Sequence, residues 1–192
     1  SVTRDGYWVS VGSLENLMLN RNEDDSCGPM TIYEESERGS VSLEVYKIQG
    51  PKVQYMSSVS NDEGLNDGSL SVGTAQLYYP GLFQINPDGL GYFMDYGYLD
   101  GARFTYSPVY VDILRTFGIG INNMEIRMDF PDPDKLVFKM VNVQFDFPGV
   151  DDDWTASDFS EELRRITPQQ FNDIYKFALK CTKNQVTQQE SN

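Results

Sequence analysis

The chain has 192 residues, 40% hydrophobic and 23% charged, so it is long enough to bury a core and its composition disfavours extensive disorder. Its formal net charge is −14, and an acidic surface disfavours nucleic-acid partners and docking on anionic membranes. It has no histidine, which excludes Ser-His-Asp and Cys-His mechanisms, histidine zinc sites and proximal-histidine haem.

The N-terminal segment predicts a strand followed by a short helix. Residues 5–12 alternate apolar and small polar side chains, as a first strand does. Residues 13–19 carry Leu14, Leu17 and Met18 at a spacing that predicts one or two helical turns. An acidic loop follows over residues 22–27.

Alternation of apolar and polar residues predicts a series of strands through the middle of the chain. The segments with a strand pattern are 40–48, 53–60, 70–79, 82–85, 91–99, 104–114, 124–130 and 136–147. Turn-forming sequences such as Asp100-Gly101 separate them. The apolar phase of the last segment shifts by one residue near Val141, as a β-bulge would make it do.

The pattern becomes helical near the C-terminus. Residues 158–166 predict a short helix. Thr167, Pro168 and Gln170 then combine an N-cap, a proline at the first helical position and a capping glutamine, which predicts a helix over 167–182. Residues 183–192 are polar and predict a flexible tail.

Short strands joined by tight turns and followed by a helix indicate one mainly β domain over residues 1–182. The expected architecture is an antiparallel up-and-down β-barrel with a C-terminal α-helix, and a β-sandwich is the alternative. The barrel is favoured because closure removes exposed strand edges.

Two cysteines, Cys27 and Cys181, lie near opposite ends of the chain, and their spacing leaves a disulfide and two free thiols equally open. The localisation is therefore unknown, and a secreted or other oxidising compartment is favoured only if they are bonded. No transmembrane run is visible, so membrane insertion is not expected.

The sequence Gly6-Tyr7-Trp8 resembles the Gly-x-Trp pattern that opens the first strand of lipocalins. The resemblance implies a barrel whose closed end is crossed by Trp8, and a helix over 167–182 packed on the barrel wall. Two cysteines that could tether the chain ends also look lipocalin-like. The chain departs from the family in lacking its Thr-Asp-Tyr pattern, and Arg127 lies too early to match the family's arginine near the last strand.

Candidate ligand-binding side chains lie on the predicted central strands. Tyr92, Tyr96 and Tyr98 share one strand face, which would line a pocket if it points inward or would only pack across strands if it does not. Asp95 and Asp112 are predicted to lie mid-strand in apolar surroundings. The expected ligand-binding residues are Tyr92, Asp95, Tyr96, Tyr106, Asp112, Met124, Arg127 and Phe138.

Three functions fit this sequence. The first is a binding protein for a small hydrophobic or chromophore-type ligand held in a barrel cavity. The second is a cofactor-free enzyme or bilin-lyase-like protein on the same barrel, with Asp95, Asp112 or a tyrosine moving protons. The third is an acidic interaction module for a protein with a basic surface. Neither a metal nor another cofactor is expected, and the acidic clusters predict a solvated surface.

Overall fold

The computed structural model describes residues 3–29, 40–60, 76–88, 90–122, 125–141, 143–146, 149, 154–156 and 159–190. The strands in these ranges are β1 Gly6–Ser10, β2 Ser40–Gln49, β3 Lys52–Ser60, β4 Phe83–Ile85, β5 Tyr92–Asp100, β6 Arg103–Tyr106, β7 Gly120–Asn122, β8 Glu125–Asp132, β9 Lys135–Val141, β10 Val143–Asp146, β11 Trp154–Ala156 and β12 Phe159–Ile166. The helices are α1 Val11–Leu19, α2 Pro108–Thr116 and α3 Pro168–Glu190.

Eight antiparallel strands form a closed barrel in the order β3-β2-β1-β12-β9-β8-β6-β5, and β5 pairs with β3 to close the ring. Strand β4 pairs with the part of β5 that β6 leaves uncovered. Strands β7, β10 and β11 form a separate three-stranded sheet. The predicted mainly β barrel with a C-terminal helix is confirmed, and the sandwich alternative is wrong.

The barrel wall separates two cores. On β1, Trp8 packs inside the barrel, whereas Tyr7 and Val9 belong to the cluster outside the wall, beneath α3. The outer cluster includes Phe171 and Phe177 of α3. Because successive strand side chains alternate between faces, one strand supplies both cores, and the wall is apolar on both sides where α3 covers it.

One end of the barrel is closed by Trp8, which is fully buried. The Arg165 guanidinium lies 4.3 Å from the Trp8 ring centroid, and the Phe130 ring meets Trp8 edge-on at 5.4 Å. Arg165 also donates hydrogen bonds to the carbonyl oxygens of Thr3, Asp5 and Pro133. The arginine therefore ties the N-terminal segment and the β8–β9 turn to the closed end.

The prediction of a helix over 158–166 is wrong. These residues form β12, which pairs with β1 on one side and β9 on the other. Leu163 points into the barrel, while Glu162 and Arg164 are exposed. The many charged residues that face solvent hide the strand period, and pairing on both edges decides the structure.

Two strand predictions also need correction. The predicted strand 104–114 stops at Tyr106, because Ser107 caps α2 by accepting a hydrogen bond from the Tyr110 amide at 3.2 Å and Pro108 starts the helix. The predicted strand 136–147 is divided between β9 in the barrel and β10 in the small sheet, so its phase shift accompanies a change of sheet. Most of the predicted strand 70–79 lies outside the described residues.

Helix α3 begins where the sequence predicts. The Gln170 amide donates to Thr167 Oγ1 at 3.1 Å, and the Thr167 amide donates to Gln170 Oε1 at 2.8 Å, which is a reciprocal capping box. The helix continues to Glu190, beyond the predicted end at 182. The structure bonds Cys27 to Cys181, which joins the loop after α1 to α3. Across the described parts of the chain, no helix is both long and apolar enough to span a bilayer.

Candidate functional site

Aromatic rings fill the middle of the barrel. Neighbouring ring centroids in this group lie 4.7 to 6.2 Å apart. The rings, hereafter the tyrosine layer, are Tyr46, Tyr55, Tyr96, Phe104, Tyr106 and Phe138. Burial raises the pKa of the phenols of Tyr46, Tyr55, Tyr96 and Tyr106. All four are therefore neutral at physiological pH and keep their hydrogen for donation.

A β-bulge brings Tyr96 into this layer. Gln54 pairs with Asp95 and Val53 pairs with Gly97, so Tyr96 is an extra residue on β5. The extra residue reverses the alternation beyond it, and Tyr98 is consequently exposed on the outside of the wall. The predicted one-face stripe of Tyr92, Tyr96 and Tyr98 is therefore wrong, because the bulge divides it.

Two carboxyl groups face each other at the end of the barrel opposite Trp8. Glu44 lies on β2 and accepts a hydrogen bond from Tyr55 Oη at 2.8 Å. Glu161 lies on β12, opposite Phe138 of β9, and hydrogen-bonds with Glu44. Burial, followed by the hydrogen bond with Glu44, raises the pKa of Glu161 to about 7, while Ser10 acts in the opposite direction. Below that pH the two carboxyls share a proton.

The shared proton predicts that stability depends on pH. Because the fold raises the pKa of Glu161 from its ordinary 4.5, the folded state holds a proton that the unfolded chain has lost. This contribution is complete below about pH 4.5 and is lost as pH rises to about 7. We expect about 2 kcal/mol of unfolding free energy to be lost in this window, a figure reduced for partial solvent screening.

The measurement is urea unfolding of Glu161→Gln across the same pH window. In the wild type, the Glu161 carboxyl makes the unfolding free energy fall as pH rises through this window. In the variant, this fall should be absent. Glu162→Gln is the matched control, because that neighbouring glutamate is exposed and pairs only with Lys135 at the surface. An equal slope in the wild type and Glu161→Gln would contradict the prediction.

A cleft with a mixed polar and apolar lining opens at the barrel rim, next to Glu161 along β12. Its volume is about 230 Å³, and its lining is Lys139, Met140, Val141, Phe159 and Ser160. Met140 and Phe159 are opposite each other on β9 and β12, two positions along from Phe138 and Glu161. Met140 and Phe159 therefore face the barrel interior, on the same side of the wall as Phe138 and Glu161.

A larger cleft, about 360 Å³, lies at the closed end between Arg4, Phe130, Asp132 and Arg165. Its two guanidinium groups already donate to backbone carbonyls, Arg4 to Gly101 and Arg165 to the N-terminal segment and the β8–β9 turn. They also stack on Phe130 and Trp8. This cleft is accordingly part of the structural closure, and we place the candidate site at the opposite end of the barrel, where Tyr110 and Val111 of α2 also pack against the inner core.

The structure brings only some of the expected site residues together. Tyr96, Tyr106 and Phe138 meet in the tyrosine layer. Tyr92 packs instead against a small cluster outside it, formed around Leu82 and Phe83. Met124 lies outside the described residues.

The charged residues among the expected set lie away from the barrel interior. Asp112 is on helix α2, not mid-strand, and is exposed beside Arg115. Arg127 is half-exposed and bonds Asp129 at 3.2 Å, so its guanidinium does not line the barrel interior. Asp95 pairs with Gln54, whose side chain bonds Gln84 outside the wall, and burial raises the pKa of Asp95.

The sequence-based reasoning missed Glu44 and Glu161. A usable signal for Glu44 exists, since Ser42, Glu44 and Tyr46 alternate with the apolar Val41, Leu43 and Val45 on one strand. Because both faces of β2 are covered, the polar residues on one face indicate a site inside the barrel. Glu161 could not be found while residues 158–166 were assigned to a helix.

In the parts of the chain that the structure describes, no three histidine, cysteine or acidic side chains come together as a metal site. Comparisons with protein-family models, curated proteins and solved structures find no match to this chain.

Proposed function

We propose that this protein binds a small molecule at the end of a lipocalin-like barrel opposite Trp8. The ligand has an apolar, chromophore-sized or smaller body and a head that donates hydrogen bonds. The observation that carries the proposal is the juxtaposition of a rim cleft lined in part by Met140 and Phe159, a buried tyrosine layer and the Glu44–Glu161 pair.

The closed end supports the lipocalin-like assignment. Trp8 crosses that end, as the Gly-x-Trp resemblance implies, and α3 packs on the outer wall. Arg165, on the last strand before α3, stacks on Trp8 at this end. The sequence hid this arginine because its segment was predicted to be helical.

The chemistry of the barrel end opposite Trp8 indicates what such a ligand presents. Met140 and Phe159 offer apolar surface, and each square ångström of apolar area removed from water is worth roughly 25 cal/mol. Glu44 and Glu161 offer carboxyl oxygens that accept hydrogen bonds, as Glu44 does from Tyr55. An N–H or ammonium head therefore fits better than a carboxylate, which the pair would repel.

The test is a fluorescence titration with N-phenyl-1-naphthylamine, a neutral aromatic amine, against the folded full chain. Saturable binding is expected, and Phe159→Lys should weaken it at least about tenfold by filling the rim cleft with a solvated charge. Phe159 is 48% exposed, so the change should not perturb the fold.

Two controls locate the site. Tyr98→Lys alters an equally exposed aromatic on the outside of the wall and should leave the affinity unchanged. Arg4→Ala opens the cleft at the closed end; a loss of affinity in this variant, with none in Phe159→Lys, would reject the site at the rim cleft. Absence of saturable binding across a wider set of aromatic amines, alcohols and fatty acids would reject ligand binding altogether.

A second candidate is proton-transfer catalysis at the same position, favoured by a carboxyl whose pKa of about 7 suits general acid–base work. It replaces Asp95 and Asp112 with Glu161 as the candidate group. The two functions separate on Glu161→Gln, which preserves hydrogen bonding to a bound molecule but removes any turnover.

A further inference from the structure

Helix α2 begins where the barrel wall loses a strand. Strand β6 ends at Tyr106, and its pairing with β8 covers only two residue pairs. Beyond that point β4 pairs with β5 in its place, and within the described parts of the chain no strand pairs with the other edge of β4. The chain turns into α2 directly after β6, so the helix starts at this gap in the wall.

Helix α2 packs against two separate clusters at the gap. Tyr110 and Val111 pack against the core inside the barrel. Ile113 belongs to the small cluster that includes Leu82 and Phe83, beside β4. The contacts of Val111 and Ile113 are hydrophobic and therefore non-directional, so they do not fix the helix in one orientation as hydrogen bonds would.

The Tyr110 ring fills a slot beside two buried phenols. Its centroid lies 4.8 Å from that of Tyr106, with the ring planes 32° apart, and 5.2 Å from that of Tyr96, edge to face. Tyr96 and Tyr106 are 6% and 5% exposed, whereas Tyr110 is only partly buried. Tyr110 is therefore the outermost of the three rings, and it reaches them from a helix instead of from a barrel strand.

We propose that the slot beside Tyr96 and Tyr106 is the aromatic subsite of the ligand, and that Tyr110 fills this slot until a ligand ring displaces it. The inference rests on the proposed ligand-binding function and specifies the part of the ligand that lies deepest. A ring that replaces Tyr110 has to match its size and its polar edge. The ligand class is therefore a planar aromatic ring with one hydroxyl or amino substituent, which the hydroxyls of Tyr96 and Tyr106 can hydrogen-bond.

The two ends of α2 are held differently, which lets the helix turn away from the slot. At its start, Ser107 is fully buried; its amide donates to the Tyr96 carbonyl oxygen at 2.9 Å and its Oγ donates to the Asp95 carbonyl oxygen at 3.1 Å. At its end, Phe117 is exposed and Gly118 has a φ of 74°, a conformation that glycine adopts without strain. The helix is thus fixed to β5 at one end and leads into an exposed turn at the other.

Displacement of Tyr110 predicts a change of affinity opposite to that of a lining residue. Truncating a side chain that only lines a pocket removes contacts with the ligand and weakens binding. Truncating a side chain that competes with the ligand raises the fraction of protein whose slot is open, and the apparent dissociation constant falls in proportion.

The first measurement is a fluorescence titration of the full chain with N-phenyl-1-naphthylamine. Tyr110→Ala should bind the dye about tenfold more tightly than the wild type. Phenol, whose ring matches that of Tyr110, should displace the dye from both proteins. Phe117→Ala is the matched control, because it removes an exposed aromatic ring at the end of the same helix and should leave the affinity unchanged.

The second measurement is amide hydrogen exchange of the wild type with and without saturating dye. Bound ligands usually slow exchange around their site, but displacement of Tyr110 should make the amides of α2 exchange about tenfold faster. Amides of the β8–β9 turn serve as an internal reference and should not change. This measurement uses the wild type, so it is decisive even if Tyr110→Ala does not fold.

The outcomes separate this inference from the proposed function. Weaker binding in Tyr110→Ala than in the wild type, or α2 exchange that slows or stays constant in the saturated wild type, would overturn the inference and leave the proposed function standing. Binding by the variant alone would reveal a slot that α2 does not release, which also contradicts the inference. Absence of binding by both proteins rejects the proposed function and the aromatic subsite with it.

Discussion

Replacing Gly97 with alanine is expected to lower the free energy of unfolding by about 3 kcal/mol, the cost of overfilling a close-packed core. Gly97 is buried on β5 directly after the Tyr96 bulge, and it pairs with Tyr106 of β6. An added methyl group would overlap the Thr105 carbonyl oxygen and the Phe104 ring. The ring could move, but the carbonyl belongs to the barrel wall and cannot.

Urea unfolding monitored by tryptophan fluorescence measures this change. Gly12→Ala is the matched control, since a methyl group there meets only Ser10 Oγ at 3.9 Å and alanine favours helix α1. The control should be neutral or slightly stabilising. A loss below about 1 kcal/mol in Gly97→Ala would mean that β5 and β6 move apart more easily than a packed barrel allows.

The parts of the fold that could be predicted are those where the local pattern and the tertiary environment agree. Strand β2 alternates because one face meets α3 and the other meets the barrel interior, and α3 carries its own capping box. Strand β12 and helix α2 could not be predicted. Charged side chains conceal the period of β12, and the β-branched residues of α2 favour a strand until Ser107 and Pro108 are recognised as a helix start.

The same division applies to the candidate site. Tyr96, Tyr106 and Phe138 could be predicted because aromatic residues on alternating strands tend to face a core. The bulge at Tyr96 leaves no local trace in the sequence, since it is defined by which residues of β3 stand opposite. Glu44 and Glu161 are 117 residues apart in the numbering and come together only because β2 and β12 flank β1 and continue past its end at Ser10, so their pairing follows from topology.

Removing the Cys27–Cys181 disulfide is expected to cost about 4 kcal/mol of unfolding free energy, because the bond closes a very long loop in the unfolded chain. The two cysteines are separated by 154 positions, and their Cα atoms are 5.5 Å apart, which a disulfide spans without displacing the backbone. The folded barrel should survive the loss. Arg21 keeps its bonds to Asp173, and α3 keeps its apolar contacts with the outer wall.

The double variant Cys27→Ala/Cys181→Ala isolates this effect, since alanine suits the fully buried position of Cys181 better than serine would. Urea unfolding should show an earlier midpoint and a steeper dependence on denaturant, because the uncrosslinked chain exposes more surface when it unfolds. Dithiothreitol should lower the stability of the wild type to that of the variant and leave the variant unchanged. If reductant has no effect on the wild type, α3 is held to the barrel by its apolar face alone, and the crosslink restricts neither the folded nor the unfolded chain. The slope of the unfolding free energy against urea concentration shows whether the crosslink restricts the unfolded chain. Only a crosslink that does so changes this slope.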